Sequence, residues 1–526
     1  MTLRQLYSTS LTIWMWCNIA QAAPQQRGTV QGVVLDAETG KPIANARVQL
    51  QTLYHVYGRL DVASATSNLA GAFTIHAAPN EYYFLSASKP GYLSGAAVPE
   101  PESFSLDESE RRTDFVFKLI REGVVRGKLT DADGDLVRQT ALSVWQWCFA
   151  GGERYLAQRG SVQVRPDGTF VIRNLRPGDV YLQARRSWEH ADYGDQPRMD
   201  QSLPTFYRDA ANATSAQPIR IVPGAEISGI ELRMRRGLLY RVQGSATGPD
   251  GMEELSISLC AAWTQQSCLP ARVQPDGRFR LDNIPAGQYE LRGDALLRAP
   301  KAQSLRVSEQ VTVNDGFRDL HVAFSETPVI KTILHGGHGS VQLVSLPDSV
   351  HAATLVYGNQ ESGSVGVYPG RYRVAEIELE EGKYVESIRS AGRDVTEGFQ
   401  LSAPGLTLDI VLASGAGILH GTVRNGQGKA QKDVAVTVWP EAGASRLART
   451  TISQQNGAYE FANLPPGEYR VAAWRGVSPG VAQYRGFFES FTTDASSVRV
   501  SPGANLEVNS IAIAEKIATE RLNKLQ

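Results

Sequence analysis

Helical periodicity, cysteine, charge imbalance and long apolar runs are all scarce in this chain, and each scarcity excludes a class of protein. The 526 residues hold four cysteines and a formal net charge of −1. No block of Lys and Arg is interleaved with aromatics, so the phosphate neutralisation that nucleic-acid binding demands has no source, and nucleic acid is excluded as a partner. The mostly apolar stretch from Leu11 to Ala20 is shorter than the ~20 residues of a spanning helix. Arg4 precedes it and the small-x-small site Ala20, Gln21, Ala22 follows, so residues 1–22 read as a signal peptide. Cys17 follows Trp16 rather than a small residue, which argues against a lipid anchor. No later segment is apolar for long enough to cross a bilayer. The expectation is a secreted, periplasmic or cell-envelope protein with no membrane span after cleavage.

Glycine (49) and proline (26) are plentiful, and Tyr, Phe, Val and Leu recur in short alternating runs between turn residues, which is an all-β composition. One phrase returns along the chain. It runs from Asp167-Gly168 through Phe170, Ile172 and Leu175 to Pro177-Gly178. It returns from Asp276-Gly277 through Phe279, Leu281 and Ile284 to Gly287 and Tyr289. Its fullest copy runs from Asn456-Gly457 through Tyr459, Phe461 and Leu464 to Pro466-Gly467 and Tyr469. Weaker copies run from Gly71 through Phe73 and Ile75 to Tyr82, and from Pro369-Gly370 to Tyr372. The Asp-Gly and Asn-Gly pairs are expected to supply the positive φ of tight hairpins, the aromatic to fill one sheet face, and Pro-Gly to set a type II turn. A second phrase precedes the first, with a glycine inside an opening strand: Gly32, Gly127, Gly244 and Gly421. Each unit closes on another alternating strand, such as Phe115 to Leu119, Ile230 to Met234 or Leu406 to Ile410.

These repeats predict a tandem array of about five Ig-like or transthyretin-like β-sandwich modules. The expected modules are residues 27–120, 121–236, 237–325, 326–413 (the most degenerate) and 414–515, followed by a C-terminal tail over 516–526. The run from Gly32 to Asp36 leading to Ala46 and Val48, and the run from Gly421 through Asn456-Gly457 to Pro466-Gly467 and Tyr469, resemble the carboxypeptidase regulatory-like domain, a transthyretin-like sandwich also grouped with carbohydrate-binding-like folds. The resemblance implies an accessory, non-catalytic role. Zinc carboxypeptidases need a His-x-x-Glu pair with a distant His. None of the eight histidines here has a Glu three residues on, so no catalytic residue is carried over.

Several constellations invite a chemical reading. Aromatics in expected loops offer rings to a sugar: Trp188, Tyr193 and Tyr207 with Phe206 and His190, and Trp474, Tyr484 and Phe487 with Phe488 and Phe491. The competing reading is that they cap their own sandwich or a neighbouring one. His335 and His338 flank two glycines but lack a third ligand of matching spacing. Gly476, Ser478 and Gly480 spell a nucleophile elbow, yet Pro479 follows the serine inside an all-β module. Asp131, Asp133 and Asp135 resemble half a calcium loop and fit a simple Asx turn better. Cys260 and Cys268 fall in adjacent strands or the loop between them, where they would form a disulfide or remain buried thiols, with Cys148 left over. Neither cofactor nor metal is called for. The functional expectation is a monomeric, non-enzymatic exported protein that binds or spaces, with polysaccharide or an envelope or extracellular protein as partner. The alternatives are a purely structural stalk and a hydrolase or metal enzyme using Ser478 or His335 and His338.

Overall fold

A computed structural model describes residues 27–54, 58–93, 104–137, 140–186, 201–264, 267–297, 303–314, 318–346, 351–357, 362–441 and 448–525. The expected signal peptide, Trp188, His190 and Tyr193 lie outside them. The chain is all-β, and its strands form five two-sheet sandwiches. Its described residues divide into two compact units, one ending at residue 120 and the other running from residue 121 onward. The first unit holds the first sandwich and the second holds the other four.

All five sandwiches share one strand plan. The opening strand lies between two neighbours, antiparallel to one that carries the phrase aromatic in all but the fourth and parallel to the closing strand. In the first sandwich Gly28–Asp36 lies between Ala72–Ala77 and Arg111–Arg121. In the third, Leu239–Thr247 lies between Arg278–Pro285 and Arg318–Ala323. The facing sheet of the first sandwich runs Gly58–Thr66, Arg47–Tyr54, Asn80–Ser88, Phe104–Leu106.

The pairing register explains the glycine of the opening strand. Gly32 is opposite Phe73, Gly127 opposite Phe170, Gly244 opposite Phe279 and Gly421 opposite Tyr459. A methyl group on Gly244 would stand 2.1 Å from the Leu320 carbonyl oxygen and 2.7 Å from the Phe279 ring. The glycine therefore makes room for a ring laid across the strand, which then anchors the core. The fourth sandwich has lost both partners. Thr332 occupies the middle of its opening strand, paired with Gly363, and its fully buried hydroxyl has no hydrogen-bond partner among the described residues.

Two turn expectations need correction. Gly168, Gly277 and Gly457 do have positive φ (77°, 84° and 80°). Their N–H groups, however, donate to Arg165, Gln274 and Gln454, so each glycine is the fourth residue of its turn, with the Asp or Asn side chain accepting the N–H two residues on. In the second and fifth sandwiches this turn carries the chain from one sheet to the other, from Glu153–Gln163 to Thr169–Leu175 and from Arg449–Ile452 to Ala458–Leu464, rather than closing a hairpin. The left-handed residue before Pro-Gly is not the glycine of a type II turn in the third and fifth sandwiches. It is Asn283 (φ 63°) and Asn463 (φ 56°), matched by Asn174 (φ 58°) in the second, each at a shift of register. Asparagine tolerates that conformation better than any bulky residue, and the bulge it makes bends the strand.

The tyrosine after Pro-Gly is a corner post. The hydroxyls of Tyr289, Tyr372 and Tyr469 donate to the carbonyls of Pro285, Tyr368 and Pro465, four residues back, at 2.8–2.9 Å. Burial pushes all three phenols up to about 12. Val180 stands at the matching place in the second sandwich and fills the core without a corner bond.

Within the second unit the sandwiches are fastened together. The hairpin of the second, Thr140–Ala150 with Glu153–Gln163, reaches all three later ones. Leu156 accepts a bond from Thr264, Gly151 accepts one from Arg373, and Arg373 also pairs with Glu153 at 3.5 Å. Arg154 lies over the Trp147 ring and donates to the Leu525 carbonyl at 2.6 Å, while Phe149 meets Tyr484 at 5.1 Å. The third and fourth are joined by Tyr368 to Asp294 and by Arg306 to the Gly366 carbonyl. The fourth and fifth are joined by Asn463, which bonds to both Gly382 and Leu379.

Candidate binding cleft

The loop aromatics do not stand where a ligand-facing surface needs them. Trp474 and Phe487 are fully buried, together with Phe488 and Phe491. The cause lies in the sheet made by Ala435–Pro440 and Gly467–Trp474, which is covered on both faces. Val436, Val438 and Val471 face the sandwich core, while Ala435, Trp439, Ala472 and Trp474 face a second core roofed by the short helices Pro479–Ala482 and Arg485–Glu489 and by Glu515–Leu525. Trp474 meets Phe487 and Phe491 edge-on at 5.3 and 5.5 Å. Tyr207 is buried in the second sandwich core. A ring without a free face cannot stack on a sugar, so Trp474, Phe487 and Tyr207 are structural. Tyr484 is half-buried, with Phe149 against it.

The other sequence candidates find equally local explanations. Ser478 precedes the helix Pro479–Ala482, and a methyl group on Gly480 would lie 2.2 Å from the Phe149 carbonyl oxygen, so that glycine serves close packing. His335 pairs with Asp409 at 3.3 Å and His338 with Glu380 at 4.0 Å. No three His, Cys, Asp or Glu side chains among the described residues converge as metal ligands. Asp131 accepts the N–H groups of Asp133 and Asp135, both at 2.9 Å, which is an Asx turn. Cys148 is a buried free thiol, held above its ordinary pKa by burial. Cys260 and Cys268, directly opposite across a strand pair, are joined by a disulfide.

That disulfide closes the loop carrying Trp263, and Trp263 leads to the cleft. Its indole meets Trp145 at 4.9 Å and Phe206 at 5.4 Å, both edge-on. Beside it a cavity of about 610 Å³ opens between the second and third sandwiches. From the second sandwich, the strand Gly178–Arg186 turns Val180, Leu182 and Ala184 into the core, leaving Gln183 and Arg185 on its other face, where both line the cavity. Arg235 enters beside them, and the third sandwich contributes Tyr240, Asn283 and Gln288. The Trp145 indole N–H donates to the Gln183 carbonyl oxygen at 3.2 Å, which fixes that amide and leaves its nitrogen as the remaining donor.

The charge is one-sided. No Asp or Glu lines the cavity, and the Arg185 and Arg235 guanidinium groups have no acidic partner among the described residues. Nearby arginines are neutralised: Arg241 by Asp282 at 2.8 Å and Arg236 by Asp133. Arg185 keeps an exposed side chain but sits in a concavity, where surrounding protein lowers its pKa from the ordinary value. None of Gln183, Arg185, Arg235 and Trp263 stands out in the sequence. Their only local signal is Trp263 between two cysteines, because the cleft exists only once two sandwiches are packed together.

Residues 29–114 and 418–512 match the family model of the carboxypeptidase regulatory-like domain. No curated protein matches the chain. Among solved structures, the TIE protein of Bacillus anthracis is 9% identical, covering 90% of this chain and 76% of its own, with a TM-score of 0.16. The minor pilin GBS52 of Streptococcus agalactiae is 17% identical over 40% of this chain and 96% of its own, with a TM-score of 0.20. BcpA, the major pilin subunit of Bacillus cereus, is 11% identical over 74% and 99%, with a TM-score of 0.15. Scores this low carry nothing about role. The chain is thus a repeat protein of β-sandwiches whose first and fifth sandwiches match the carboxypeptidase regulatory-like domain.

Proposed function

We propose that this is an exported, non-catalytic binding protein whose second unit is a fixed scaffold for the cleft between its second and third sandwiches, with a polysaccharide or an envelope component as ligand. The observation that carries this reading is the cleft itself. Its volume, about 610 Å³, falls within the roughly 300–1,000 Å³ of pockets that enclose small ligands. Among the described residues, its lining combines aromatic and amide side chains with two arginines that have no acidic partner, and includes no carboxylate, histidine or thiol to serve as general base. The tight fastening of the four sandwiches favours a positioned site over a flexible spacer. The signal-peptide layout of residues 1–22 supports export.

The test is binding of the purified chain to cell-wall and extracellular polysaccharide fractions, compared with Ala286→Trp. Ala286 is exposed and lines the cleft, so the indole fills the cavity without entering a core. Saturable binding by the parent chain, lost in Ala286→Trp, is the expected result. Equal binding by both would remove the cleft from the function.

A further inference from the structure

The cleft's chemistry is more specific than binding in general. Two cationic forks without acidic partners among the described residues open into one cavity, whereas the Arg236 and Arg241 side chains nearby are each paired. A guanidinium group left without a counter-ion in a concave site is a standing invitation to an oxyanion, which it can grip through two parallel N–H bonds. The amides of Gln183, Asn283 and Gln288 line the cavity with them, beside the hydroxyls of Thr214, Tyr240 and Ser267. An amide both donates and accepts, which suits a hydroxyl group that does the same. Trp263 is half-buried, with its ring supported by Trp145 and Phe206, and its loop is held shut by the Cys260–Cys268 disulfide. A supported ring is an entropically inexpensive platform for the C–H face of a sugar. A peptide is a poorer fit. The strand edge that reaches the cleft, Cys268–Pro270, is three residues long and ends on proline, too short for a main-chain ladder.

We propose that the cleft binds an acidic saccharide, with Arg185 and Arg235 holding the sugar carboxylate, Trp263 supporting its ring, and Gln183, Asn283 and Gln288 reading its hydroxyls. This rests on the binding reading above and names the ligand class for the same site. Because the carboxylate grip is electrostatic, affinity falls as salt is raised.

The experiment titrates the full chain with oligogalacturonate, with the same oligosaccharide as its methyl ester, and with inorganic phosphate, following tryptophan fluorescence and calorimetric heat. Arg185→Gln, Arg235→Gln and Trp263→Phe are titrated in parallel, and circular dichroism confirms that each is folded. The expected result is saturable binding of the acid, tenfold or more weaker for the ester and for either arginine variant, a change equivalent to at least one charge-assisted bond. Equal affinity for acid and ester, unaffected by the arginine variants, overturns the acidic-sugar assignment while the binding reading stands. Phosphate binding as tightly as the oligosaccharide shows a bare anion site and also overturns it. Loss of binding to every probe by the folded parent chain, together with undiminished polysaccharide binding in Ala286→Trp, overturns both.

Discussion

The corner tyrosines set how this protein responds to alkali. Tyr289, Tyr372 and Tyr469 lie one in each of the last three sandwiches, all buried, each phenol donating to a carbonyl and each raised from 10.0 to about 12. A phenol whose pKa is higher folded than unfolded contributes stability that is fully present below pH 10 and is lost as pH climbs through 12. Two pH units correspond to about 2.7 kcal/mol per tyrosine. In Tyr469→Phe the corner bond is gone, which costs about 1 kcal/mol at neutral pH, but the alkaline penalty at that site is gone as well. Urea unfolding of the parent chain and the variant from neutral pH upward should show the variant less stable at first. The curves should cross between pH 10 and about 12, with the variant ahead by about 1–2 kcal/mol at the top of the range. Tyrosinate absorbance should rise together with unfolding for the buried phenols. A gap between the two proteins that stays constant across the whole pH range would refute the reasoning, since it would mean the Tyr469 hydroxyl is not kept neutral by the fold.

Two further outcomes follow from the opening-strand register. Thr332→Val replaces the unpartnered buried hydroxyl of the fourth sandwich with a methyl of similar size, and should stabilise the chain by about 1 kcal/mol in thermal or urea unfolding. Gly244→Ala drives a methyl into the Leu320 carbonyl and the Phe279 ring and should cost about 2 kcal/mol or more, while Gly426→Ala, with nothing within 4 Å, should be close to neutral under the same denaturant scan.

The sequence shows most of the fold because its phrases are local. Gly244 and Phe279 recur at matching places in successive copies, and period-two alternation marks the strands that carry them. That the ring lies across the glycine is not visible locally, since register is set by which strands pair. The turns are legible as turns, but the Pro-Gly pair suggests itself as the left-handed site while the true signal lies in Asn174, Asn283 and Asn463, each standing before Leu or Ile. Trp474 and Phe487 read as loop aromatics because a sheet with two buried faces mimics, over a short span, a single sandwich face with a sticky loop. The nearly continuous apolar run from Val434 to Trp439, interrupted only by the buried Thr437, is the clue. The cleft is illegible for a different reason: Trp145, on a strand, and Trp263, on a loop, are far apart in sequence, and no local periodicity records that they meet.

The reach of the second sandwich's hairpin alters what counts as a separable piece. A chain of repeats ordinarily invites cutting at each junction, with every fragment keeping its own core. Here a cut between the third and fourth sandwiches would strip Gly151 and Glu153 of Arg373 and Phe149 of Tyr484, and would bare the second core around Trp474 on the side where the helix Pro479–Ala482 meets that hairpin. The repeats of residues 121–526 are thus modular in their sequence and fastened together in the structure, and the cleft belongs to the assembly rather than to either sandwich that lines it.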